Sequence, residues 1–129
     1  MLRQINIIGC YVKDPTASAE FYRGLGFVVQ PGSDMTTEVR LGSTRVQFTD
    51  QRTAQDKSAA FQKEALGEPK GTGLYVNVEV TDIDALYERY VARGYEPSSQ
   101  PKDWPWGHRE FALRDPDGYK LVFYEPLKS

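Results

Sequence analysis

A shift of 68 residues lays this chain over itself, and no other feature restricts its fold as tightly. Val12 falls on Val80, Asp14 on Asp82, Ala17 on Ala85, Glu20 on Glu88, Tyr22 on Tyr90 and Gly26 on Gly94, with Phe27 meeting Tyr95. Asp at a helix start and Gly at a helix stop are general preferences. They account for two of the matches, but not for Ala, Glu and Tyr in fixed register. The chain therefore reads as a duplicated unit.

Within the first copy, Arg3 to Val12 alternates as a strand, with Ile8, Cys10 and Val12 on one face and Ile7, Gly9 and Tyr11 on the other. Asp14-Pro15-Thr16 opens a helix over Ala17 to Leu25 that Gly26 stops. Phe27 to Gln30 follows as a short strand broken by Pro31-Gly32, and Thr36 to Leu41 and Thr44 to Thr49 form a hairpin around Gly42-Ser43. The polar stretch from Asp50 to Lys70 contains a short helix over Ser58 to Leu66. In the second copy Leu74 to Val80 is a strand, and Asp82 caps a helix that runs to Arg93 and ends at Gly94. Each copy thus predicts βαβββ, module 1 spanning about residues 3–66 and module 2 about 72–126 of one 129-residue domain. The fold class is α+β.

The last quarter, Asp103 to Pro126, reads as an aromatic loop (Trp104 to Gly107), a strand, a tight Asp115-Pro116-Asp117-Gly118 turn and a second strand. Phe111 and Leu113 share a face with the core-type alternation, as do Leu121 and Phe123; Glu110, Ala112, Val122 and Tyr124 take the other. This wording, with Trp106-Gly107 and the run from Arg109 to Pro116, resembles the closing segment of the vicinal oxygen chelate superfamily, the glyoxalase, bleomycin-resistance and extradiol-dioxygenase group. It looks closest to the bleomycin-resistance branch. The resemblance implies two modules whose strands curl into a mixed-sheet cup, with helices on the convex face and the opposite residues lining the cup. It also implies a homodimer.

Active members of that superfamily hold a divalent metal through His and Glu at four cup-lining positions. Carried onto this chain, those positions are Ile7, Gln47, Tyr75 and Val122, of which only Gln47 offers an oxygen to a hard cation. The expectation is no metal and no other cofactor. What remains as a candidate ligand-binding set is Tyr11, Gln47, Tyr75, Asn77, Trp104, Trp106, Glu110, Val122 and Tyr124, an aromatic wall with a few amides and carboxylates suited to a planar ligand. Sequestration of a planar aromatic, antibiotic-like molecule is the leading expectation. A metal-free lyase or isomerase using Glu79 or Glu110 as general base, and a non-catalytic interaction module, are the alternatives.

Composition excludes other classes. A net charge of −2, a pI near 5.4 and scattered basic residues offer no phosphate-binding stripe, so nucleic acid is not an expected partner. No run approaches the ~18 apolar residues of a membrane span, and the N-terminus lacks a signal-type segment, which predicts a cytoplasmic protein. The one cysteine, Cys10, lies in an apolar alternation and reads as buried filler.

Overall fold

A computed structural model describes residues 1–55 and 57–128; Asp56, inside the polar stretch between Asp50 and Lys70, lies outside the described residues, as does the last residue. The chain divides into two compact units, Met1–Lys70 and Gly71–Ser129. The first runs β1 (Ile8–Val12), α1 (Pro15–Leu25), β2 (Val28–Ser33), β3 (Thr36–Leu41), β4 (Thr44–Asp50), a 3-10 turn (Gln51–Ala54) and α2 (Ala59–Leu66). The second runs β5 (Tyr75–Glu79), α3 (Ile83–Ala92), β6 (Lys102–Trp104), β7 (His108–Arg114) and β8 (Lys120–Pro126). Their sheets have equivalent strand orders, β1-β4-β3-β2 and β5-β8-β7-β6, each with one parallel pair (β1 with β4, β5 with β8) and antiparallel neighbours. The architecture is α+β, built of two βαβββ modules.

The repeated residues do the same physical work in both units. Tyr22 of α1 is buried and stacks on Phe48 of β4 with ring centroids 5.0 Å apart; Tyr90 of α3 is buried with its ring 5.5 Å from Phe123 of β8. Each helix ends in the same way, Phe27 N–H donating to the Tyr22 carbonyl at 3.1 Å and Tyr95 N–H to the Tyr90 carbonyl at 3.0 Å. Gly26 (φ 108°) and Gly94 (φ 93°) supply the left-handed turn such an ending requires. Each helix covers one face of its own sheet. Beneath α3 lie Phe111, Leu113, Leu121 and Phe123, all but fully buried, and each such side chain contributes roughly 1.5–3 kcal/mol of burial. Glu110, Ala112, Val122 and Tyr124, at the alternate positions, are half-buried on the other face.

Four local expectations are corrected. Strand β1 begins only at Ile8, because its parallel ladder on β4 runs from Ile8–Val46 to Val12–Asp50; Ile8 is exposed, so Cys10 and Val12 alone carry that core face. Strand β2 continues through Pro31-Gly32 to Ser33 by way of a register shift, tolerated because β2 is the last strand of its sheet and Pro31 owes no N–H to an outer neighbour. The aromatic stretch is not all loop: Lys102–Trp104 pairs with His108–Glu110, leaving Pro105, Trp106 and Gly107 to turn the chain, with Gly107 at φ 88°. Asp82 does not cap α3, since it sits at φ 50° with no side-chain cap bond. The 3-10 turn after β4 had no signature in the sequence reading. None of the described helices is long and apolar enough to cross a membrane.

Candidate functional site

The open face of the second sheet carries a cavity of about 380 Å³ lined by Tyr75 and Asn77 of β5, Lys120 and Val122 of β8, His108 and Glu110 of β7, and Trp106. Register explains the set. Tyr75 stands opposite Lys120 and Asn77 opposite Val122 in the β5·β8 ladder, and a two-residue period keeps all of them on the face that α3 leaves uncovered.

One end of the cavity is a tied aromatic wall. The Trp106 indole N–H donates to Glu110 Oε2 at 2.8 Å, and its ring stacks on Trp104 at 4.8 Å and 12°. The Lys102 ammonium sits 4.3 Å from the Trp104 ring centroid, a cation–π contact. His108 Nδ1 lies 3.4 Å from the same Glu110 oxygen, and the imidazole stacks on Tyr124 at 4.2 Å. The Tyr124 hydroxyl donates to Glu79 Oε1 at 3.3 Å. Burial foremost, and then the neighbouring Glu79 carboxylate, push the Tyr124 phenol above its ordinary range. Both carboxylates that the sequence offered as general bases are therefore engaged by aromatic donors.

Of the candidate residues, Tyr75, Asn77, Trp106, Glu110 and Val122 line this cavity, while Trp104 and Tyr124 back its walls through the stacks on Trp106 and His108. Tyr11 and Gln47 belong to the first unit. There Tyr11 meets Phe61 of α2 edge-on at 5.9 Å, and the Gln47 amide donates to Thr49 Oγ1 at 3.3 Å. Two lining residues, His108 and Lys120, were missing from the sequence-based set; the alternation of β7 and β8 that placed Glu110 and Val122 also places these, two residues earlier on each strand.

At the four positions where the resemblance places metal ligands, the side chains do not suit a divalent ion. Ile7 and Val122 have no donor atom, Tyr75 is a phenol and Gln47 a neutral amide. No group of three or more His, Cys, Asp or Glu side chains gathers to hold an ion among the described residues.

The chain belongs to the Glyoxalase/Bleomycin resistance protein/Dioxygenase superfamily, whose family model matches residues 4–123. A bleomycin resistance protein of Geobacillus stearothermophilus is 38% identical over 53 residues, a stretch covering 40% of this chain and 40% of that protein. A glyoxalase/bleomycin resistance protein/dioxygenase from Nocardioides superposes with a TM-score of 0.81 at 27% identity, covering 100% of this chain and 87% of the other. TnmS3, an antibiotic binding protein from Streptomyces sp. CB03234, superposes with a TM-score of 0.70 at 23% identity over 97% of each chain, a likeness of fold. The superfamily's own description spans enzymes and a drug-resistance protein, so membership alone does not separate catalysis from binding.

Proposed function

We propose that this protein reversibly binds a planar aromatic small molecule on the open face of its second sheet, without a metal ion. The observation that carries the reading is Trp106. Its side chain is 58% exposed, yet it is tied by its N–H to Glu110 and by its ring to Trp104. A solvent-facing aromatic plane that is already immobilised loses little conformational entropy when a flat ligand stacks on it. Tyr75, 61% exposed, offers a second aromatic surface to the same cavity. The bleomycin-resistance name of the sequence relatives and the antibiotic-binding name of TnmS3 support a binding role, and the replacement of metal ligands by Ile7 and Val122 supports metal independence. Glu110 then serves to position Trp106.

The test is a thermal-shift screen of planar aromatic antibiotics and metabolites in the presence of a chelator. A ligand at 100 times its dissociation constant adds about 2.7 kcal/mol of stability. Recovery of that ligand unchanged supports sequestration; conversion of it moves the protein to the enzyme reading, and binding that needs an added divalent ion overturns the metal-free one. We further propose a homodimer, which would cover the sheet edges and the exposed Val28 and Leu41. Light scattering that returns a mass near 14.6 kDa at tens of micromolar overturns it.

A further inference from the structure

The cavity on the second sheet has unequal electrostatic demands at its two ends. At the aromatic end the charge is answered: Glu110 accepts from Trp106 and lies beside His108. At the other end Lys120 is half-buried, and no hydrogen bond or ion pair joins its ammonium to any described residue. Its neighbours on the same face, the Tyr75 hydroxyl and the Asn77 amide, are also without a side-chain partner among the described residues. Two other cations of the same sheet are matched, Arg109 by Asp84 and Asp103 and Arg114 by the Gly118 carbonyl. Three donors thus converge on a cavity whose one carboxylate is already occupied. An anionic oxygen placed against an ammonium that has no protein counter-charge forms a charge-assisted hydrogen bond about twice as strong as a neutral one.

We infer that the pocket selects an aromatic ligand bearing an anionic oxygen group, a carboxylate or its like, which seats on Lys120 with Asn77 and Tyr75 donating beside it while the ring lies against Trp106. The inference rests on the binding reading above and narrows it: a purely cationic planar compound meets Lys120 and finds Glu110 engaged.

Three probes of one shape and different charge test this by calorimetry on the full chain: 2-naphthoate, 2-naphthamide and 2-naphthylmethylammonium. The naphthoate is expected to bind roughly ten-fold or more tightly than the ammonium, in line with a charge-assisted bond. Lys120→Met should remove that advantage and cost the naphthoate several-fold more affinity than the amide, and Lys120→Arg should retain it. Should Lys120→Met not fold, the wild type still decides, because naphthoate binding must weaken with added salt and amide binding must not. Equal affinities for the three probes, a preference for the cation, or naphthoate binding indifferent to both Lys120→Met and salt overturns the anion assignment and leaves aromatic binding standing. No saturable binding by any probe overturns the aromatic-binding reading itself, and this inference with it.

Discussion

The carboxylate of Glu125 caps the helix that Asp82 begins: its two oxygens accept the backbone N–H of Asp82 at 2.9 Å and of Ile83 at 3.3 Å. In the first unit the repeat-equivalent Asp14 accepts from Thr16 N–H at 3.0 Å with its own side chain. The duplicated aspartates therefore occupy matching positions with different roles. At α3 two of the backbone N–H groups at the helix start are satisfied from β8, which ties the end of that strand to the start of the covering helix.

Replacing Glu125 with Ala should lower stability by about 1–2 kcal/mol, the range for losing an N-terminal cap. Asp14→Ala should cost about 1 kcal/mol for the same reason. Asp82→Gly should be neutral or stabilising by up to about 1 kcal/mol, because Asp82 holds a left-handed backbone that glycine adopts freely. Urea unfolding of the three variants checks the set; a loss at Asp82→Gly as large as at Glu125→Ala would show that Asp82 contributes to the cap after all.

For Trp106, truncation to Ala should weaken binding of a screened aromatic ligand by on the order of 1–3 kcal/mol, the range for an aromatic anchor. The same truncation loses the stack on Trp104 and the bond to Glu110, so unfolding free energy should fall by about 1 kcal/mol with the fold intact. Calorimetry with wild type and variant reads the first quantity and urea unfolding the second. Unchanged affinity removes Trp106 from the site.

Acid sensitivity should trace in part to Asp50. Its buried carboxylate accepts from Arg52 Nη2 at 2.7 Å, Nε at 3.0 Å and backbone N–H at 2.8 Å, and the Arg52 side-chain bonds hold its pKa below the ordinary 3.8. A depressed folded-state pKa stabilises above the unfolded value, and that stability is lost as pH falls through the folded one. Arg52→Gln should therefore melt lower than wild type at pH 7, with the gap narrowing below pH 3.8. A gap that is constant from pH 7 to pH 2 in thermal melts contradicts the assignment.

On the alkaline side, burial is the main cause pushing the Tyr90 phenol from 10.0 up to about 12. The unfolded chain ionises this group first, so stability should be intact below pH 10 and decline as pH rises toward 12. Tyr90→Phe should show a shallower decline over that window in equilibrium unfolding, whatever its stability at neutral pH. Parallel curves for variant and wild type would assign the alkaline loss to other groups.

Much of the architecture was legible along the chain because it is local. Period-two alternation at Phe111 and Leu113, and at Leu121 and Phe123, names the buried face without reference to any partner, and the repeat of Tyr22 at Tyr90 marks the same helix-to-sheet contact twice. Asp115 shows how local chemistry suffices for a turn: one of its carboxylate oxygens accepts the N–H of Asp117 and of Tyr119, each at 2.9 Å, within five residues of chain. What the alternation could not contain is which residue on an open face answers which. Glu110 and Glu125 are both acidic residues near the ends of neighbouring strands, yet one holds an indole and the other a helix terminus. Trp104 belongs to a strand because pairing across the turn at Trp106 brings it onto β7. Lys120 stands unpaired because the residues across its two ladders are Tyr75 and Arg114, neither of them an acid. Hydrogen bonds and ion pairs form over a few ångströms between strands far apart in sequence, so the chain alone decides which faces exist, and only their juxtaposition in space decides what each polar group meets.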